Sequence, residues 1–199
     1  MLFLNEEVLL LIKNINYKKL VKFNYFRNGL FHLQKAKEFF NDLLEIKELQ
    51  NLKIKMFITV VDLAKGEAIY FDRGNIASLV MASSSLFPIF KPFEYEGRVY
   101  IDGGFINNLP IEPLKNLDEK ILAINVNPLI EIKRSRWKFS QILKRTLYLM
   151  FNANMQIRKN QADFYLEPKE IAKFSIFDTH CFDECFEMGY KFAKENLKV

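Results

Sequence analysis

The chain has 199 residues, 50% hydrophobic and 27% charged, a globular composition sufficient for one domain with a sizeable core, and disorder is excluded. Aromatic residues reach 15%, with 20 Phe against 7 Gly and 6 Pro, so low-complexity and collagen-like chains are excluded as well. The net charge of +5 permits attraction to anionic surfaces but is too small to indicate nucleic acid by itself. Two cysteines, Cys181 and Cys185, make no disulfide framework, which fits a reducing compartment. No apolar run approaches the roughly 18 residues of a membrane span. The opening MLFLNEEVLLLI is broken by Asn5, Glu6 and Glu7 and lacks a basic leader and a small-residue cleavage site. The expectation is a soluble, cytoplasmic chain.

From Leu30 to Leu49, apolar residues at Leu33, Ala36, Phe40, Leu43 and Leu44 recur every three or four positions, predicting an amphipathic helix led in by Asn28 and Gly29. The period then changes. Ile54, Phe57, Ile58, Val60 and Val61 predict a strand buried on both faces, and Ala68–Phe71 a second strand after a turn at Lys65 and Gly66. Asn75 is a candidate N-cap for a helix through Leu86, ended by Pro88. Arg98–Ile101 reads as a strand entered from a turn at Glu96 and Gly97. The run Ile121–Val126 predicts an interior strand, followed by a long helix over about Ser135–Asn160 and a short strand at Phe164–Leu166. A closing helix is expected from about Thr179 to Leu197. Helices alternating with strands indicate an α/β layered domain. No strong interior strand precedes the first helices.

The sharpest local feature is VYIDGGFINNLPI, residues 99–111. A carboxylate at a strand end followed by two glycines lies where α/β sheets place ligands. Gly103 and Gly104 permit positive φ and close backbone approach, so Asp102 can be held in a tight turn facing a pocket. Taken alone, Asp-Gly is also among the commonest turn dipeptides.

Upstream lies ASSSLFPIFKPF, then a short hairpin, then YIDGGFINNLPI; further on come ILAINVNP, ADFYLEP and FSIFDTHCFDECFEMGYKFA. In this order the segments resemble the patatin-like phospholipase family, specifically the C-terminal part of its bacterial branch, from about Asn16 to the end. The resemblance implies a three-layer α/β/α domain and a serine acyl hydrolase of lipid metabolism that needs no cofactor. Its Ser–Asp dyad places the serine in a G-x-S-x-G elbow and the aspartate in a D-G-A/G motif. The aspartate corresponds to Asp102, with Gly103 and Gly104 completing the motif. With an unperturbed pKa of about 3.9 it is a modest base, so oxyanion donors must carry much of the transition-state stabilisation.

The chain departs from that pattern. No pair among Gly29, Gly66, Gly74, Gly97, Gly103, Gly104 and Gly189 brackets a serine, and there is no glycine-rich oxyanion loop. The expectation is a single, N-terminally truncated domain over residues 1–199 that supplies the dyad aspartate but no nucleophile and is inactive alone. It is either a split-gene product, a half that pairs with a separately encoded N-terminal part, or a non-catalytic remnant. Its substrate would be a lipid or other acyl ester.

Other groups weigh less. Ser83, Ser84 and Ser85 lack flanking glycines and fall late in a helix, which favours packing or capping over nucleophilic attack. His180, Cys181 and Cys185, with Asp178, Asp183 and Glu184 interleaved, lack the second cluster of a closed zinc site, so no metal is expected. His32, in an apolar stretch, is expected only to pack. Residues 131–160 carry Lys133, Arg134, Arg136, Lys138, Lys144, Arg145, Arg158 and Lys159 against the single acid Glu131. Phe139, Leu143, Leu147, Met150 and Phe151 form a stripe at helical spacing, with Trp137 ahead of it. The favoured expectation is a core-facing stripe and a solvated basic face. The alternative is a non-catalytic membrane-docking or acyl-binding module using helix 133–159, a peripheral membrane contact. Single-stranded nucleic acid is disfavoured, since the aromatics share the apolar stripe.

Overall fold

The computed structural model describes residues 6–24, 28–133, 135–153, 155–174 and 181–197. In chain order its elements begin with α1 (Glu6–Asn14), α2 (Tyr17–Leu20), β1 (Lys22–Phe23), β2 (Phe31–His32) and α3 (Gln34–Leu43). Then come β3 (Ile58–Asp62), β4 (Glu67–Phe71), α4 (Ile76–Ser83), β5 (Phe93–Tyr95) and β6 (Arg98–Asp102). The remainder is β7 (Leu122–Ile124), α5 (Phe139–Ala153), α6 (Met155–Lys159), β8 (Phe164–Leu166) and α7 (Phe182–Asn196). Helices and sheets are interleaved along the chain, an α/β fold. The residues form two compact units: 16–113, and 1–15 together with 114–199.

In the unit formed by residues 16–113, four strands lie in the order β4-β3-β6-β5, every pairing antiparallel. All five residues of β3 are buried, as the apolar density of Ile58, Val60 and Val61 predicts, but the strand begins only at Ile58: Phe57 precedes it, and Ile54, expected within the buried run, is strongly exposed. Asp62 closes that strand: its Oδ1 accepts the Ala64 and Lys65 N–H groups, and its Oδ2 accepts from Arg98 Nη1 at 2.8 Å. The Arg98 guanidinium and these N–H groups hold the Asp62 carboxyl below its ordinary pKa despite burial. The β5–β6 hairpin turns through Glu96 and Gly97 at φ +49° and +74°, the backbone of a type I′ turn.

Asn75 caps α4 as its position predicts. Its side-chain oxygen accepts the Ser78 N–H at 3.0 Å and the Ser78 hydroxyl at 2.8 Å. Leu79 and Ala82 are fully buried against Ile58, Val60 and Tyr100, fixing the helix on one face of the sheet. The helix ends at Ser83, short of the expected Leu86. The Ser85 carbonyl accepts the Asp102 N–H instead of continuing the helix.

The helix expected from Leu30 is α3 alone, starting at Gln34. Leu30 is a bend and Phe31 and His32 are extended, because this stretch pairs with β1 and with a segment distant in sequence. The Leu30 and Phe31 N–H groups donate to Pro88 and Ile89, and the Lys91 N–H donates to Phe31. Gly29 serves this crossing at φ +141°, where a Cβ would lie 2.5 Å from the Lys91 nitrogen.

In the other unit β7 and β8 pair in parallel, with α5 and α6 between them in sequence, as a parallel connection requires. The interior strand expected at Ile121–Val126 is not interior. Among the described residues β7 pairs only with β8, and Leu122, Ile124 and Val126 are exposed while Ala123 and Asn125 are buried. Apolar density alone did not distinguish a strand covered on one face from one covered on both. The expected long helix is α5 and α6, with Asn154 outside the described residues.

The favoured expectation for α5 is also overturned. Phe139, Leu143 and Met150 are exposed, and Leu147 and Phe151 are only half-buried. The inward side is polar. Asn152 is buried, the Tyr148 hydroxyl donates to the Pro128 carbonyl at 3.1 Å, and Arg145 donates to the Ile130 carbonyl at 2.8 Å. Backbone carbonyls of the 128–130 segment accept from these donors, and Phe139, Leu143 and Met150 are left outside. No helix among the described residues is long and apolar enough to cross a membrane.

Candidate functional site

Asp102 ends β6, where Val60 of β3 lies opposite it in register. The backbone then tightens into a 3-10 turn over Gly103–Phe105, and the Asp102 side chain caps that turn, its Oδ1 accepting the Gly104 N–H at 2.8 Å. Two neighbours fix the geometry. The Ser85 carbonyl takes the Asp102 N–H at 3.2 Å, so α4 and the strand end are tied together. At Gly103 a Cβ would sit 2.5 Å from the Thr59 carbonyl oxygen and 2.7 Å from its carbon. Close approach to β3, with φ not in the positive region, is what demands glycine at 103.

Burial drives the Asp102 carboxyl above its ordinary pKa, opposed by the hydrogen bond from Gly104. The side chain is half-buried and borders an open pocket of about 350 Å³, which Thr59, Ser83, Ser84 and Asn107 also line. A carboxylate there has one oxygen held and a desolvated environment that raises its basicity, the combination a general base needs. No hydroxyl among the described residues hydrogen-bonds to it.

The structure brings Ser83 and Ser84 to the same pocket as Asp102. Ser83 is the last residue of α4 and Ser84 its C-cap, while the fully buried Ser85 spends its hydroxyl on the Met81 carbonyl at 2.8 Å. That is the back-bonding geometry of a serine at a helix end. Two further polar residues of the pocket, Asn107 and Thr59, carry no motif in the sequence. Asn107 is buried and donates to Tyr70 Oη and Glu112 Oε2, both at 2.6 Å, bracing the loop after the 3-10 turn. Thr59 is buried, and its hydroxyl has no partner among the described residues. NNLP after a glycine turn hints at a braced loop, whereas nothing in the strand pattern marks Thr59.

The other expected candidates lie apart from this pocket. Cys181 and Cys185 have their sulfurs 3.4 Å apart at the start of α7, while Asp178 and His180 fall outside the described residues. No group of three or more His, Cys, Asp or Glu side chains among the described residues is arranged to hold a metal ion. His32 lies in β2, half-buried, and its Nδ1 has no partner among the described residues. Of the basic residues, Arg134 is outside the described residues.

Residues 3–115, which include Asp102 and the whole pocket, match the family described as patatin-like phospholipase. The chain belongs to this family. Lysophospholipase nte1 of Emericella nidulans and of Aspergillus niger are each 24% identical to it over 177 residues, covering 76% of this chain and 12% of the fungal proteins. An uncharacterized NTE family protein of Mycobacterium tuberculosis is 25% identical over 100 residues, covering 50% of this chain and 28% of that protein. The patatin-like chain thus spans a small fraction of the length of the curated relatives it matches. The matched family region ends soon after the Asp102 loop, so β7, α5, α6, β8 and α7 lie beyond it.

Proposed function

We propose that this chain is the base-bearing part of a patatin-like serine acyl hydrolase that cleaves a carboxylic ester of a phospholipid or lysophospholipid. The observation that carries the reading is Asp102, fixed at a strand end beside the pocket, with its pKa raised by burial. The names of the fungal relatives, lysophospholipases, support a lipid ester as substrate.

In the proposed reaction Asp102 takes the proton of a serine hydroxyl as its oxygen attacks the ester carbonyl. Collapse of the tetrahedral intermediate leaves the acyl group on the serine, and the proton passes from Asp102 to the departing alcohol. Asp102 then takes a proton from water as its oxygen attacks the acyl carbon, and collapse of this second intermediate releases the fatty acid while the proton passes from Asp102 to the serine oxygen. These 199 residues contain no G-x-S-x-G, so the nucleophile and its oxyanion donors belong to polypeptide outside them. Ser83, Ser84 and Ser85 are not the nucleophile in this reading. Their helix-end position lacks the strained elbow that exposes an attacking oxygen.

The test is labelling with a fluorophosphonate. The 199-residue chain should remain unlabelled and should not hydrolyse a short-chain nitrophenyl ester. Stoichiometric labelling of Ser83 or Ser84, abolished by its own Ala variant, would overturn the reading and place the nucleophile within this chain.

A further inference from the structure

Helix α5 is amphipathic in the ordinary way by sequence, yet it is turned inside out. Phe139 is 81% exposed, and Ile142 and Met150 are each 50% exposed, with Leu143 and Leu149 exposed beside them. At about 100° per residue these five positions fall within an arc of about 120°, a continuous apolar face. Arg145, Tyr148 and Asn152 lie on the other side and are engaged by the protein. An apolar face of this kind on a folded protein marks a surface that something covers.

The charge around it identifies the cover. From Ile132 to Ala162 the sequence contains no Asp or Glu, and Lys133, Arg136 and Lys138, just ahead of the helix, are all exposed. Trp137, at the head of the helix, is 38% exposed, a residue suited to the boundary between headgroups and acyl chains. A protein surface seated on α5 would have to supply both an apolar groove and acids opposite these cations. An anionic lipid surface supplies both at once. The 15 residues of α5 extend about 22 Å, short of a hydrocarbon core of about 30 Å, so the helix lies on the surface and does not span it.

We propose that α5 docks this chain on anionic membranes, its Phe139–Met150 face sunk among the acyl chains and Lys133, Arg136 and Lys138 at its start against the headgroups. The proposal goes beyond the acyl-hydrolase reading, and its measurement requires no turnover.

The experiment is cosedimentation of the full 199-residue chain with phosphatidylcholine vesicles, with and without phosphatidylserine, at low and high salt. Binding should require phosphatidylserine and weaken as salt rises. Ile142→Asp with Met150→Asp should lower binding roughly tenfold or more, because it places charge at positions meant for hydrocarbon. Since both residues are exposed, circular dichroism should be unchanged. Arg136→Gln and Lys138→Gln, at the start of the helix and outside its apolar face, should each lower binding about fivefold. Binding that ignores both salt and phosphatidylserine would overturn the proposal, as would binding unaffected by the aspartates or by the glutamines. A chain that ignores vesicles and forms a dimer dissolved by the aspartates would assign the face to a second copy instead.

Discussion

Two opposing influences meet on the Asp102 carboxylate. Burial disfavours its charge, while the Gly104 N–H favours it, and burial prevails. Its folded pKa therefore lies above the unfolded value of about 3.9. The protonated form is the one the fold favours, so this contribution to stability is full below the unfolded pKa and is lost as pH rises through the folded pKa. Asp102→Asn keeps an oxygen to accept from Gly104 and removes the charge. It should therefore raise the urea midpoint at neutral pH and have little effect once the pH falls below about 4. A variant less stable than the parent at neutral pH would contradict this. Asp62 has the opposite sign: Arg98 lowers its pKa, so its contribution is present above the unfolded pKa and fades as pH falls through the folded one. Beside Asp102, Gly103→Ala forces a Cβ into the Thr59 backbone. It should cost about 1–3 kcal/mol in denaturant unfolding; an unchanged midpoint would mean that β3 and the turn are not in such close contact.

At the scale of elements, α4 sets the position of the pocket, and Asn75 sets α4. Asn75→Ala removes acceptors for both the Ser78 N–H and its hydroxyl, and should lower stability by about 1 kcal/mol in the same unfolding assay. A neutral effect would mean that water replaces the cap without loss. This cap, the β3 run and the Glu96–Gly97 hairpin were legible because each is a local pattern: a capping residue, a dense apolar run, a turn dipeptide. Other elements were not. Residues 30–32 fall within the expected helix but form a bend and a short strand, because their partners at 88, 89 and 91 are remote in sequence. Likewise Ile121–Val126 and the α5 stripe are plain as apolar patterns, but a pattern does not state which side the protein covers. In α5 that choice rests on carbonyls at Pro128 and Ile130 claiming Tyr148 and Arg145. At the site the motif marked Asp102, whereas Thr59 and Asn107 enter the pocket only through the pairing of β3 with β6 and the loop that follows.

Across the whole molecule, the unit of residues 16–113 holds the proposed base, and the unit containing 114–199 carries the proposed membrane face. Family membership rests on residues 3–115, the region in which the Asp102 turn and its pocket are built. In the proposed reaction this carboxylate activates a serine supplied from elsewhere. The most direct measurement joins a patatin-like segment bearing the glycine-rich loop and G-x-S-x-G ahead of residue 1. Lysophospholipid hydrolysis and fluorophosphonate labelling are then followed with and without Asp102→Asn. The joined protein should label at the G-x-S-x-G serine and turn over, while the Asp102→Asn form should fold and lose turnover by a factor of about 10²–10⁴, the range of a positioned general base. Turnover that survives Asp102→Asn unchanged would contradict the account and leave Asp102 as the cap of a turn.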